Sequence, residues 1–296
     1  MTGAPYLTEA GRIRTMLPML KLAAFADEIS PELDDQIRVC RANDVTHFEL
    51  RGVRGLNVLD FPKDLQNEIR TKLAANGMGV ASIGSPIGKA KINDSWEQHF
   101  ERFKIAVELS QFFAAPFIRI FSYYPPTPDD DIAKYRDEVI RRMRAKVDYI
   151  ESLPVTMVHE NEADIFGEHG GECEDLLSSV GSPKLRCAFD FANFVIAGDR
   201  PRDNWPLLKP FTVHFHIKDA KFGPVMNIVP PGEGDGDIGP ILADAYQSGS
   251  RGFVTMEPHL KVAGHSHGET GPELFKVAVD ALRKTCKEHG VPLAGA

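Results

Sequence analysis

Residues 213–219 have the sequence VHFHIKD, in which apolar and polar side chains alternate and the last two residues are charged. Because successive side chains of a β-strand point to opposite faces, the two histidines and the lysine share one face and the three apolar residues share the other. Such a strand can pack its apolar face against helices while it turns polar groups inward. This pattern is typical of a barrel strand that ends in a polar pocket.

Short apolar segments of this kind recur along the chain and are separated by longer stretches with the spacing of amphipathic helices. The predicted strands are residues 21–26, 46–50, 80–83, 117–121, 155–159, 185–189, 213–217 and 253–256. The predicted helices are residues 31–42, 61–76, 96–111, 132–152, 171–180, 200–208, 239–247 and 271–288, the sixth being short and rich in proline. Eight strands alternating with helices, with no linker between them, predict a single-domain (β/α)₈ TIM barrel. An open, doubly wound α/β sheet is the alternative.

The first 19 residues precede the first predicted strand, so we expect an N-terminal extension over residues 1–19 and the barrel over residues 20–296. Arg12 and Arg14, followed by an apolar run and small residues at 23–26, loosely resemble a secretory signal. Lys21 interrupts the apolar run, and the first barrel strand explains this segment better.

Charge and composition exclude several classes of partner. The chain of 296 residues carries a net charge of −8 and contains no long run of basic residues, so we expect it to bind neither nucleic acid nor an anionic membrane. Its four cysteines are scattered and form no C-x-x-C motif, which fits a reducing compartment. No run of 18 apolar residues could span a bilayer. We therefore expect a cytoplasmic protein with a small-molecule substrate; a homo-oligomer is compatible with such a barrel.

Metal-binding residue types follow four consecutive predicted strands. Glu160 and Asp190 follow the fifth and sixth strands, His216 lies near the end of the seventh, and Glu257 follows the eighth. Because the carboxyl ends of barrel strands meet at one mouth, these side chains are expected at the same height. Three carboxylates and an imidazole favour one hard divalent cation, with Mn²⁺ preferred and Mg²⁺, Co²⁺ or Zn²⁺ as alternatives.

Two nearby residues compete for places in this site, because Glu162 shares the strand face of Glu160 and His214 shares that of His216. A weaker metal-binding candidate is the pair His265 and His267 in a glycine-rich loop. Further strand-end residues are candidates for binding substrate hydroxyls or an anionic group, or for ordinary ion pairs at the barrel mouth: Glu49, Lys89, Arg119 and Lys218. The acidic segment 232–237, GEGDGD, is expected to form a loop at the pocket rim and to repel a phosphate.

Several motifs resemble the sugar phosphate isomerase/epimerase family, which is built on the xylose-isomerase-like barrel. In the first half they are residues 26–30 (ADEIS), 48–52 (FELRG), 82–89 (SIGSPIGK) and 118–122 (IRIFS). In the second half they are residues 159–161 (HEN), 189–193 (FDFAN), 216–219 (HIKD), 232–235 (GEGD) and 257–259 (EPH). The resemblance extends from about residue 20 to the last predicted helix.

This resemblance implies that Glu160, Asp190, His216 and Glu257 bind the metal and that the two glutamates also act as an acid–base pair. One glutamate would remove a proton from the carbon next to a carbonyl, which gives an enediolate, and the other would return a proton. The implied function is that of a metal-dependent isomerase or epimerase acting on a sugar or keto-sugar.

The chain departs from the epimerase pattern at Asn193, where epimerases often have a histidine three residues after the aspartate ligand. Asparagine can bind a substrate hydroxyl but cannot transfer a proton near neutral pH. A second interpretation therefore keeps the metal site but makes the protein a lyase or dehydratase of a 3-keto-sugar, keto-inositol or dehydroshikimate-like substrate. A third is a sugar-binding barrel without activity. The apurinic/apyrimidinic endonucleases share this barrel but need further histidine ligands, which disfavours DNA repair.

Overall fold

Eight parallel strands close into a barrel in the computed structural model, which describes residues 6–7, 13–14, 19–262 and 268–294. The strands are β1 (Lys21–Ala24), β2 (His47–Leu50), β3 (Gly79–Ile83), β4 (Phe117–Ile120), β5 (Thr156–Glu160), β6 (Leu185–Asp190), β7 (Thr212–Ile217) and β8 (Phe253–Met256). Each strand pairs with its neighbour in sequence, and β8 pairs with β1. The predicted single-domain (β/α)₈ barrel is confirmed, and the open sheet is wrong.

Helices connect the strands on the outside of the barrel. They are α1 (Leu33–Ala42), α2 (Lys63–Ala75), α3 (Trp96–Phe112), α4 (Arg136–Ile150), α5 (Gly170–Val180), α6 (Phe191–Ile196), α7 (Pro201–Leu208), α8 (Ile238–Gln247) and α9 (Gly271–Glu288). The short proline-containing helix predicted at 200–208 is present as α7, whereas the sequence did not predict α6. Within the described residues, no helix combines the length and apolar character needed to cross a membrane.

The apolar core lies between the barrel and its helices, as the alternation of β7 requires. Phe189 and Phe215 point outward from β6 and β7 and meet Trp205 of α7, with ring centroids 5.7 and 6.0 Å from the indole. Each buried side chain of this size stabilises the fold by roughly 1.5–3 kcal/mol. The inner strand faces are thereby left to carry the polar residues of the mouth.

Little of the predicted N-terminal extension is described. Tyr6–Leu7 pairs with Ile13–Arg14 in an antiparallel ladder, and the other residues up to 18 lie outside the described part of the chain, as do His265 and His267. Leu20, just before β1, pairs with Leu293 near the other end of the chain, and Ala294 N donates to Leu20 O over 2.8 Å. The barrel strands therefore begin where the sequence predicted.

The loop that follows β7 folds around one carboxylate at the barrel mouth. Asp219 accepts hydrogen bonds from the backbone amides of Gly232, Gly234 and Gly236 over 2.8–3.0 Å. A Cβ at Gly234 would overlap Asp219 Oδ1, so only glycine permits this approach. Residues 232–237, hereafter the rim loop, are thus fixed by their backbone.

Candidate metal centre

Four strands bring one carboxylate or imidazole each to the carboxyl end of the barrel. Glu160 ends β5, Asp190 ends β6, His216 lies one residue before the end of β7, and Glu257 directly follows β8. Ligand-type atoms of all four residues lie within 4.8 Å of one another, and each residue is at most 4% exposed. The structure therefore brings together the four residues that the sequence suggested as metal ligands.

The atoms of this cluster are placed as ligands of one cation are placed. His216 Nδ1 lies 3.0 Å from Glu160 Oε1 and 3.8 Å from Glu257 Oε2. His216 Nδ1, Asp190 Oδ2 and Glu257 Oε2 are buried without a hydrogen-bond partner. Atoms bound to one small divalent ion at about 2.1 Å lie roughly 3–4 Å apart, and buried polar atoms without partners are rare. The donor set thus fits a divalent cation.

Crowded negative charge perturbs the acids of the cluster. Burial raises the pKa of Asp190 to about 7, with the nearby charges of Glu257 and Glu160 adding to the effect against the ammonium of Lys218. Burial also acts to raise the pKa of Glu160, but the positive charges of His216 and Arg119 hold it below its ordinary value. A bound cation would relieve this repulsion.

The imidazole of His216 is fixed from behind by Glu49. Glu49 Oε2 lies 3.2 Å from His216 Nε2 and 2.6 Å from His214 Nε2, and all three side chains are fully buried. Thr255 Oγ1 is 3.0 Å from the same nitrogen of His214. A carboxylate on one ring nitrogen fixes the tautomer and leaves the other nitrogen to the metal. Glu49, which we expected to bind substrate, therefore lies beneath the cluster, and His214 contacts Glu49 instead of joining the four ligands.

Asn161 fixes the position of Asp190. Its side-chain oxygen accepts from Asp190 N over 2.9 Å, and its Nδ2 donates to Asp190 O over 3.0 Å. The Asn193 side chain in turn donates to Asn161 O over 2.8 Å. The backbone N of Asn193 donates to Asp190 Oδ1, which thereby caps the start of α6. Asn193, expected to bind substrate, thus supports the loop after β5. The role of Asn161 was missed, although its place directly after a ligand was a signal.

Three cationic residues predicted to bind substrate lie at the mouth, each beside a carboxylate. Arg119 Nη1 is 3.2 Å from Glu160 Oε2. Lys218 Nζ is 3.2 Å from Asp190 Oδ2 and 3.8 Å from Glu257 Oε2. Lys89 forms an ion pair of 2.6 Å with Glu162, which the sequence offered as an alternative to Glu160 as a candidate metal ligand. Since Lys218 adjoins two carboxylates of the cluster, it is the best placed of the three to meet a substrate held there.

The sequence analysis gave no role to Arg51, His259 or Glu28, although all three lie in the quoted motifs. Arg51 Nη1 donates to Glu257 Oε1 over 3.0 Å, and its guanidinium carbon stacks 4.4 Å from the centre of the Phe25 ring. The guanidinium of Arg119 lies 4.7 Å from the same ring. One buried phenyl ring therefore separates two arginines, and each of these holds one glutamate of the cluster.

The chain is similar in sequence to one known protein family. The sequence model of the family described as "Xylose isomerase-like TIM barrel" matches residues 37–285. None of the curated protein sequences matches the chain.

Solved structures with the same fold are distant in sequence. A Bacillus anthracis protein described as the "probable 3-DHS dehydratase AsbF" superposes with a TM-score of 0.70 at 18% identity, covering 90% of this chain and 98% of that one. A Mycobacterium smegmatis xylose isomerase-like barrel in complex with magnesium gives 0.70 at 17% identity, covering 93% and 98%. The 3-keto-D-glucoside 4-epimerase of E. coli gives 0.67 at 13% identity, covering 90% and 99%. At these identities the likeness concerns the fold.

Proposed function

The chain belongs to the xylose isomerase-like TIM barrel family, and on this basis we propose that it is a divalent-metal-dependent enzyme that isomerises or epimerises a sugar or keto-sugar. One observation carries the proposal. Three buried atoms without partners, on Asp190, His216 and Glu257, converge with Glu160 at the mouth where barrel enzymes have their active sites. We propose Mn²⁺ as the native ion, with Mg²⁺, Co²⁺ and Zn²⁺ as alternatives.

The two glutamates are proposed as the acid–base pair. Glu160 and Glu257 come from β5 and β8, which two further strands separate, so they approach the centre of the mouth from different sides. One glutamate, as the carboxylate, can take the proton from the carbon next to a substrate carbonyl, and the other, as the carboxylic acid, can return a proton to that carbon or its neighbour. When bound, the cation would supply positive charge that stabilises the negative charge developing on two adjacent substrate oxygens.

The surrounding cations prepare the glutamates for this role. Arg119 and Arg51 each hold one oxygen of a glutamate, which fixes the carboxylates and leaves their other oxygens directed at the cluster. The Lys218 ammonium is 6% exposed and adjoins two ligand carboxylates, where it can donate a hydrogen bond to a substrate oxygen. We propose Lys218 as the main substrate-binding cation, with Lys89 further out at the mouth.

Calorimetric titration of chelator-stripped protein with Mn²⁺ tests the metal centre. We expect one ion per chain in the wild type and none in Asp190→Ala, whereas Glu162→Gln, which lies at the same mouth but outside the cluster, should bind like the wild type. Proton exchange of keto-sugars in D₂O, followed by NMR, then tests the chemistry, and Glu160→Gln and Glu257→Gln should each lose it. A wild-type protein that binds none of the four ions would leave a sugar-binding barrel as the better explanation.

A lyase or dehydratase is the second candidate, and Asn193 favours it. The Asn193 side chain is bonded to Asn161 O and has no titratable proton, so it cannot replace the histidine of the epimerase pattern. The Lys218 ammonium could instead protonate a leaving hydroxyl or alkoxyl group after proton removal by a glutamate. Elimination from a 3-keto-sugar, keto-inositol or dehydroshikimate-like substrate gives an enone that absorbs in the ultraviolet, whereas epimerisation does not.

We propose the cytoplasm as the place of action, a small carbohydrate as the partner, and no nucleic-acid partner. All four cysteines are free and buried, which supports a reducing compartment. We also propose the division of the chain into an extension, residues 1–19, and a barrel, residues 20–296, that can self-associate.

A further inference from the structure

A second group of metal-binding residue types lies beside the first and shares Glu257 with it. Ligand-type atoms of Glu28, Glu257 and His259 lie within 4.8 Å of one another, and the three residues are only 2–4% exposed. His259 Nε2 is buried without a hydrogen-bond partner. It lies 3.2 Å from Glu28 Oε1 and 3.5 Å from Glu257 Oε1. This group therefore has the donor atoms and the burial of a cation site.

The guanidinium of Arg51 provides the positive charge in this second group. Its Nε donates to Asp27 Oδ2 over 2.8 Å, its Nη1 to Glu257 Oε1 over 3.0 Å, and its Nη2 to Glu28 Oε1 over 3.5 Å. The planar guanidinium presents five N–H donors in a fixed fork, which lets Arg51 hold three carboxylates at once. The Phe25 ring stacked against the guanidinium keeps it in this plane.

We propose that the guanidinium group of Arg51 occupies a second cation site, which is formed by Asp27, Glu28, Glu257 and His259. Because this positive charge fills the second site, the mouth binds one divalent ion and not two. Buried carboxylates need compensating positive charge, and the chain supplies it here from its own side chain. The inference rests on the proposed function in one respect, since it takes Glu257 as a ligand of the first ion.

Arg51 is also a positioning residue for Glu257. It holds Oε1 on the side of the second group, and Oε2 stays without a hydrogen-bond partner on the side of the first, 3.8 Å from His216 Nδ1. When a carboxylate lies between a guanidinium and a metal ion, each of its two oxygens contacts a different cation. A metal in the second site would compete for the oxygen that Arg51 now holds.

The test is the number of Mn²⁺ ions bound by chelator-stripped protein, measured by calorimetry and by metal analysis after desalting. Arg51→Met removes the positive charge of the guanidinium, and we expect the stoichiometry to rise from one Mn²⁺ ion per chain to two. Arg51→Lys keeps the charge and should stay at one. Arg119→Met is the matched control, because Arg119 holds the other glutamate, Glu160, through a similar ion pair, and Glu160 does not belong to the group of Glu28, Glu257 and His259.

Electron paramagnetic resonance adds a readout that a purely structural role would not change. Two Mn²⁺ ions that share Glu257 would lie about 3.5–4 Å apart, and their magnetic coupling would broaden the spectrum of Arg51→Met. The double variant Arg51→Met/Glu28→Gln should return to one ion and a narrow spectrum. If Arg51→Met does not fold, Arg51→Gln serves as the neutral variant.

A neutral variant that folds and still binds one uncoupled ion overturns the inference while leaving the proposed metal centre intact. A rise to two ions in Arg119→Met or Arg51→Lys also overturns it, because the gain would not depend on the charge at Arg51. A wild-type protein that binds no ion contradicts the proposed function itself.

Discussion

Glu49 offers a quantitative test of the proposed metal centre, because it contacts His216, a proposed ligand, and is itself fully buried. Its carboxylate lies 3.2 Å from His216 Nε2 and is 0% exposed. Glu49→Gln keeps the shape and one acceptor oxygen but removes the charge. A hydrogen bond to a charged acceptor contributes about 1.5–3 kcal/mol and a neutral one about 0.5–1.5 kcal/mol. We expect a loss of about 1.4 kcal/mol in Mn²⁺ binding, or about tenfold in affinity.

Glu49→Ala removes the whole interaction, and Mn²⁺ affinity should then fall by about 10- to 100-fold. Both variants are compared with wild type by calorimetry at pH 7, with circular dichroism as a check on folding. Glu162→Gln removes a charge at the same mouth without touching His216, so its affinity should stay within about twofold of wild type. If Glu49→Ala bound Mn²⁺ as tightly as wild type, the assignment of His216 Nδ1 as the metal-binding nitrogen would be refuted. An equal loss in both glutamine variants would show that net charge alone matters.

Three further expectations concern stability. Gly234→Ala should lower the thermal midpoint of unfolding by several degrees, at a cost of about 2–3 kcal/mol, because the new Cβ would overlap Asp219. Gly171→Ala is the control and should not lower the midpoint, because its new Cβ would meet no neighbouring atom within 4 Å. Burial and two nearby cations lower the pKa of His99 to about 3, so the unfolded chain gains a proton near pH 6.5 that the folded protein does not. The free energy of unfolding should therefore fall by about 1–2 kcal/mol between pH 7 and pH 5, and His99→Gln should flatten this slope in urea titrations. Mn²⁺ at 100 times its dissociation constant should raise the midpoint by about 4 °C in wild type and not in Asp190→Ala; an equal rise in both would contradict the proposed ligand set.

The fold was predictable because each strand carries its own signal. Alternation in β7 and similar short runs elsewhere located all eight strands, with bounds that differ from the structure by two residues or fewer. The helix α6 was missed because its six residues are too few for a periodic pattern, and because its N-cap is Asp190, a residue already assigned as a candidate ligand. Its start depends on a side-chain cap, which composition does not reveal.

The sequence predicted the four central residues of the candidate site, but it did not predict the residues that position them. Strand position gives the height of a side chain in the barrel but not its depth or its partner, so Glu49 was expected at the pocket wall although it lies beneath His216. Arg51 meets Glu257 across 206 residues of sequence, and the contact depends on β2 and β8 lying on either side of β1 in the closed barrel. The hydrogen bond from Asn193 to Asn161 was not predicted for the same reason, since Asn161 lies 32 residues earlier.

The rim loop has a consequence for how this barrel could change over evolutionary time. Its shape is set by glycine amides bound to Asp219, so exposed side chains such as that of Glu233 contribute little to holding it. Exchanges at such positions can alter what the entrance accepts without disturbing the proposed metal ligands, which come from the strands. Substrate preference can therefore drift by single mutations while the chemistry is inherited unchanged, and a library directed at residue 233 would sample that drift in the laboratory.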